Sequence, residues 1–199
     1  HAPVSGVVAG IEDRPHPGGG VCPAILIKND FLDTPEPGVH PCANPEGLTP
    51  GELISILREA GIVGMGGAAF PTGVKTETGV GATDTLILNA CECEPYITAD
   101  DALIRARPGD VLRGLALLAR ALSPERVVIG MEDNKPEAAA LLKGMLKDYP
   151  GTELKLLPTR YPQGAEKQLI QAVTGRQVPS GGLPKDVGCA VFNAATAAA

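Results

Sequence analysis

From residue 49 onward the chain alternates short apolar runs with amphipathic stretches of helical period, and few folds accept that pattern. Residues 84–89 (DTLILN), 126–131 (RVVIGM), 153–157 and 187–192 read as strands. Helical stripes run over residues 111–122, from Asn134 to about Asp148, and over 164–174. An earlier helix starts at Thr49-Pro50-Gly51-Glu52, a capping box with proline at the first helical position. Leu53, Ile56, Leu57 and Ala60 then repeat at helical spacing, and Gly61 ends it. Asn134 and Glu137 form a second box-like start. Strands separated by helices of roughly 10–14 residues need crossover connections. The sequence therefore predicts an α/β fold, a mostly parallel sheet flanked by helices. Ligands in such sheets gather at the carboxyl ends of the strands, near a topological switch point.

Residues 1–47 differ. Pro15, Pro17 and three consecutive glycines cluster, and Pro35, Pro37, Pro41 and Pro45 follow. Between them lie β-type runs over residues 4–11 and 24–28. This predicts a short β-rich segment with long turns, separate from an α/β domain over residues 48–199. The chain carries 25 Gly and 19 Pro, but its 44% hydrophobic content is too high for a disordered polymer.

Several function classes drop out. Three Phe, three Tyr and no Trp leave no aromatic platform for bases, and a net charge of −6 disfavours a phosphate backbone, so no nucleic-acid partner is expected. No apolar run approaches the length of a membrane span. The five cysteines are odd in number and contain no CxxC pair, which reads as free thiols with neither a zinc ribbon nor an iron–sulfur run. The three histidines are isolated and lie in the loop-rich start. No Gly-x-Ser-x-Gly elbow is present, so a hydrolase reading is weak. The chain opens on His1 rather than Met, and is read as a fragment.

Four stretches carry candidate chemistry. GIVGMGGAAFPTGVKT (residues 61–76) holds Gly64, Gly66 and Gly67, with Lys75 following. Backbone N–H groups in such a loop approach an anion closely, and a lysine adds a point charge. It is neither a Walker loop nor a dinucleotide fingerprint, and glycine count alone also describes a flexible surface loop. Phe70-Pro71 inside it argues against that alternative. LILNACECEPYITADD (residues 86–101) runs from strand-end Asn89 into Glu92 and Glu94, suited to a heterocycle and to ribose hydroxyls, or simply a solvated acidic turn. Cys91 and Cys93 read as small packing residues ahead of metal ligands. RYPQGAEKQLIQAVTGRQVPSGGLP (residues 160–184) places Tyr161, Gly164 and Glu166 at a helix start, which suits an anion or polarised ligand but, taken alone, reads first as an ordinary capped helix with a first-turn glutamate. Asn193 and Thr196 follow the last strand.

Taken in order, these motifs, with VGCAVFNAATAAA at the end, resemble the RnfC family, the NADH-facing component of the Rnf electron-transport complex, and, more distantly, the 51-kDa flavoprotein of respiratory complex I. HAPVSGVV resembles the end of the barrel-sandwich module that precedes the flavin domain there. The resemblance implies an FMN- and NADH-binding α/β domain over residues 48–199, with hydride transfer between NADH and FMN. It implies that Gly64, Gly66, Gly67 and Lys75 lie against the FMN phosphate and ribityl chain. Asn89, Glu92 and Glu94 match the acidic loop facing flavin and NADH, and Phe70 the aromatic under the adenine. Tyr161, Gly164 and Glu166 match the segment beside the isoalloxazine ring, with Asn193 and Thr196 nearby. It further implies 4Fe-4S clusters in a C-terminal region absent here, partner subunits of a bacterial membrane complex, and a peripheral location on the cytoplasmic side. Ala69 and Cys91 depart from the family, which usually has Gly and Ala (or Asp) there. Two alternatives share the motifs: the flavin module of a cobalamin (corrin) reductase, and a non-catalytic assembly module with a decayed flavin site.

Overall fold

The computed structural model describes every residue except Val39 and Pro41, so the predicted turn at Pro41 lies outside the described residues. The chain divides into two compact units, His1–Ala43 and Asn44–Ala199. In the first, β1 (Gly6–Pro15) and β2 (Val21–Asn29) form an antiparallel hairpin whose register shifts between Val8 and Gly10. Both strands are longer than the sequence runs suggest. Val7, Ile11 and Ile25 on them are exposed.

The second unit is the expected α/β architecture. Strands β3 (Thr85–Ala90), β4 (Arg126–Glu132), β5 (Thr152–Leu157) and β6 (Cys189–Asn193) pair in parallel, in the order β5-β4-β3-β6. β3 is central and buried on both faces, which is why DTLILN reads as a continuous apolar run. Leu86, Leu88, Ile129, Met131 and Phe192 face one layer with α3 (Ala99–Ala106), α4 (Pro108–Leu122), α5 (Pro136–Met145) and α7 (Ala194–Ala198). Ile87, Val128 and Val191 face the other layer, where Leu169, Ile170 and Val173 of α6 (Glu166–Thr174) pack. The alternation of Leu86 and Leu88 with Ile87 is the period-two pleat dividing one strand between two cores.

α1 (Pro50–Glu59) begins with the predicted box: Glu52 N–H donates to Thr49 Oγ1 at 3.3 Å and Thr49 N–H to Glu52 at 2.8 Å. Three elements differ from expectation. The Gly-rich stretch ends in a helix, α2 (Thr72–Gly79), so Lys75 is helical. Helix α3 has no counterpart in the sequence pattern. The Asn134–Glu137 box does not form: Lys135 precedes α5 without a side-chain cap, because Asn134 Oδ1 accepts from Lys135 Nζ at 3.1 Å.

Candidate functional site

β3 and β6 lie side by side, and Asn89 stands opposite Asn193 in the register. Beyond these paired asparagines a cleft of about 340 Å³ opens at the carboxyl ends of the strands. Of the residues singled out from sequence, Gly64, Gly66, Phe70, Lys75, Asn89, Glu94, Tyr161, Gly164, Glu166, Asn193 and Thr196 line it. Gly67 and Glu92 do not.

The Gly-rich segment is a built loop rather than a flexible one. Gly64 N–H bonds to Phe70 O at 2.8 Å and Thr72 N–H to Ile62 O at 2.9 Å, with a bridge between Val63 and Pro71. Met65 N–H donates to Thr196 Oγ1 at 2.9 Å, pinning the tip against α7. Gly67 turns the chain at φ +104°, a conformation open to glycine. Its contribution is that turn. Ala69, where the resembling family has glycine, sits at φ +49° and outside the cleft lining.

Thr72 opens α2 inside the cleft wall. It is 2% exposed, and its hydroxyl has no hydrogen-bond partner among the described residues. A buried unmatched hydroxyl is costly, so its presence in a ligand-sized cleft calls for an outside partner. One turn on, Lys75 Nζ lies 2.8 Å from Glu166 Oε1 and 5.3 Å from the centroid of Phe192. The resemblance puts Lys75 at a phosphate and Glu166 at a ring. They stand together, so an incoming anion must compete with Glu166 for the ammonium.

The two asparagines hold the walls. Asn89 Nδ2 donates to Gly164 O at 2.8 Å and its Oδ1 accepts from Cys91 N–H at 3.0 Å. Asn193 Oδ1 caps α7, accepting from Ala195 and Thr196 N–H at 2.9 and 3.2 Å, and its Nδ2 donates to Asp100 Oδ2 at 2.5 Å. Burial, ahead of any other cause, raises the Asp100 pKa from its ordinary value; Glu92 and Glu94 push the same way, against the Asn193 bond and Lys135.

Glu92 corrects the sequence reading. Its carboxylate accepts from Asp100 and Asp101 N–H at 2.9 and 3.1 Å, so it caps α3 from eight residues away. Helix α3 has no side-chain cap of its own at Thr98, and its free first-turn N–H groups attract an anion. Glu92 is buried there and does not reach the cleft, whereas Glu94 does.

Tyr161 stands 73% exposed at the rim. Gly164 sits under the carbonyl of Cys91, where an added Cβ would collide with Cys91 O, and its N–H points to Cys93 Sγ at 3.2 Å. Cys91 is a core residue beside Ile87 and Val128, and burial pushes its thiol up to about 12. Cys93 is half-buried and lines the cleft, which its reading as packing does not capture. Thr72 and Phe192 also escape the sequence reading; the only sequence signal for Thr72 is its place directly after Phe70-Pro71. Among the described residues no group of His, Cys, Asp and Glu is arranged to hold a metal.

A second hollow of about 410 Å³ shares Ala68, Phe70, Lys75 and Glu166 with the cleft. It is more apolar, walled by Val74, Leu183 and Pro184, and it holds another buried hydroxyl without a partner among the described residues, that of Thr83. Phe70, half-exposed, stands between the two spaces.

Residues 57–199 match the family model described as the Nuo51 FMN-binding domain. The chain is 46% identical, over 98% of its length, to the C subunit of the proton-translocating ferredoxin:NAD(+) oxidoreductase complex of Clostridium ljungdahlii, covering 43% of that protein. It is 44% identical to the Na(+)-translocating counterpart of Acetobacterium woodii, covering 45% of it, and 44% identical to the C subunit of the ion-translocating oxidoreductase complex of Vibrio cholerae, covering 25%. The chain thus spans between a quarter and just under half the length of these relatives. In fold it is similar to a chain of the NAD+-reducing [NiFe]-hydrogenase, with a TM-score of 0.68 at 24% identity over 78% of this chain and 30% of that one. No helix among the described residues is long and apolar enough to cross a membrane. With the domain match covering most of the chain, the chain belongs to the Nuo51 FMN-binding-domain family.

Proposed function

We propose that residues 48–199 bind FMN in the strand-end cleft and take NADH beside it, as the NAD(H)-facing module of a ferredoxin:NAD(+) oxidoreductase complex at the cytoplasmic face of a bacterial membrane. The names of the relatives support the substrate pair. The observation that carries the cofactor is the orphaned Thr72 hydroxyl in the wall of a cleft whose other lining residues mix apolar faces with polar ends. Phe192, Val191 and Ala165 suit a flat heterocycle; Thr72, Thr196, Glu94 and Lys75 suit a polyol and its phosphate. When bound, FMN would supply the hydride chemistry with NADH and single-electron delivery onward.

The protein's part is placement and charge. The closed loop over residues 64–70 offers close backbone approach, and Gly67 makes the turn that permits it. Lys75 holds an anion or polarised oxygen once Glu166 releases it, and Glu166 then accepts from a ligand N–H or O–H. The hollow behind Phe70, apolar and of nucleoside size, suits the adenine end of NADH, and its Thr83 hydroxyl awaits a partner there. Partner subunits of the complex, with any 4Fe-4S clusters, would carry the electrons onward. Of the alternative readings, a decayed flavin site gains little from Ala69, which strains backbone outside the lining.

The test is an FMN titration of the chain followed by visible absorbance and melting temperature, then anaerobic NADH. Yellow protein with a raised melting point, bleached by NADH, is the expected result. A colourless protein with no FMN-induced shift rejects the proposal.

A further inference from the structure

Behind the cleft, and outside its lining, two opposite charges are buried at the end of β4. Glu132 is fully buried, Lys135 nearly so, and they meet at 3.3 Å. Withdrawing both from water is expensive, and their mutual contact alone is a poor return, since an apolar pair of similar size is often as stable or more so. Their other bonds give the pair a use. Lys135 Nζ also donates to Glu92 O at 3.3 Å, in the loop after β3. Glu132 Oε1 accepts from Arg160 N–H at 3.2 Å, in the loop after β5. The residues next along these loops enter the cleft: Cys93 and Glu94 from one, Tyr161 and Gly164 from the other. Between the loops themselves, among the described residues, the polar links are Asn89 to Gly164 O and the weak acceptor Cys93 Sγ.

We propose that Glu132 and Lys135 are positioning residues, a buried ion pair that fixes the separation of the two loops flanking the cleft and so the placing of Glu94 against Tyr161. The proposal rests on the cleft being the flavin site. An apolar pair would fill the same volume but hold neither Glu92 O nor Arg160 N–H.

Lys135→Met alone strands a buried carboxylate and endangers the fold, so the deciding variant is the E132L/K135M double, which removes both charges. Two measurements are made on the chain: amide hydrogen exchange without FMN, and FMN titration with visible spectra. The double variant is expected to melt near the wild-type temperature. Exchange rises at Arg160, Gly164, Asp100 and Asp101 while Leu88 and Ile129 stay protected. FMN binds about ten-fold more weakly, the worth of roughly one positioning hydrogen bond, and its absorption band shifts. E132Q/K135M keeps an acceptor for Arg160 N–H and frees only the Glu92 side, so exchange rises at Asp100 and Asp101 and not at Arg160. Unchanged exchange in the loops of either folded variant overturns the proposal, as does wild-type FMN affinity and spectrum in the double variant. If the wild-type chain takes up no FMN, the flavin reading falls, and the exchange pattern alone decides the positioning role.

Discussion

The two edges of one sheet treat charge in opposite ways. At the amino edge, Asp84 with Arg176 and Arg126 with Glu153 form ion pairs that remain about 40% exposed. At the carboxyl edge, Glu132 and Lys135 are dry, Glu92 is buried against a helix terminus, and the Thr72 hydroxyl has no partner among the described residues. Exposed pairs contribute little and cost little, whereas buried polar groups are expensive unless fully matched. The sheet gathers its buried charges at one edge, and that edge is where its cleft opens; at the other, the unmatched Thr83 hydroxyl is the exception among the described residues. The same backbone thus separates a closing edge from a binding edge.

A matched pair of glycine substitutions tests this separation hardest. At the carboxyl edge, Gly164→Ala drives a Cβ into Cys91 O, a backbone atom that cannot step aside. It should cost about 3 kcal/mol or more of stability and abolish FMN uptake in whatever protein folds. At the amino edge, Gly188 sits at φ +72° under the Asp84 carboxylate and its Arg176 partner, exposed side-chain ends that can shift together. Gly188→Ala should cost about 1–2 kcal/mol of left-handed strain and leave FMN affinity unchanged. Equal loss of FMN binding in both, measured by titration on folded protein, would erase the distinction between the edges.

Lys75→Gln comes next. The Lys75–Glu166 pair is about one-third exposed, so stability should move by less than ~1 kcal/mol. FMN affinity should fall about ten-fold or more, the worth of one charge-assisted hydrogen bond. Isothermal titration against the wild type measures it; equal affinity would remove Lys75 from the binding edge.

Thr72→Val separates stability from binding by sign. Without ligand the valine removes an unmatched hydroxyl, and the melting temperature should rise, by about 1 kcal/mol of stability. FMN affinity should fall. Ala69→Gly relieves the strained backbone by a similar ~1 kcal/mol with no gain in FMN affinity, since residue 69 lies outside the lining. A large gain would instead favour a decayed site.

What can be read from sequence, and what cannot, follows the same divide. Strands β3 and β4 are legible because burial on both faces makes them continuous apolar runs, and α1 because Thr49 and Glu52 cap locally. Helix α2 is not, because TGVKTETG contains two glycines and three threonines, all poor helix formers. It forms because Thr72, Gly73 and Thr76 are small enough for close packing; a Cβ on Gly73 would meet Arg58 Cγ of α1 at 2.6 Å. Glu92 misleads because its partners, the N–H groups of Asp100 and Asp101, belong to a helix the pattern does not reveal. Glu132 and Lys135 look like an ordinary surface pair three residues apart, and only long-range packing makes them dry. The cleft's membership is largely legible because strand-end loops follow from the alternation; its internal pairings, such as Lys75 with Glu166, are not.

The smallest expected effect contrasts the edges through pH. At the amino edge, the Arg176 hydrogen bond, helped by Thr85 and the Arg176 charge, holds the Asp84 pKa below its ordinary 3.8. The folded chain then binds fewer protons than the unfolded one near and below pH 3.8, so this stabilisation is present above that value and lost as pH falls through the folded pKa. At the carboxyl edge, burial lifts Asp100 above 3.8, so the folded chain binds more protons there, and stability declines as pH rises from 3.8 through the raised value. Asp84→Asn should therefore flatten the acid limb, and Asp100→Asn should remove the decline above it while its amide oxygen still accepts from Asn193. Asp30, Glu52 and Asp133 also have lowered pKa values and shape the acid limb equally in every variant, so the differences isolate the two sites. Asp84 is more than one-third exposed, and solvent screening should keep its share below ~1 kcal/mol. Urea unfolding of the three proteins from acid to neutral pH measures both slopes. Slopes of the same sign would mean that the two edges handle charge alike, against the division drawn from their burial.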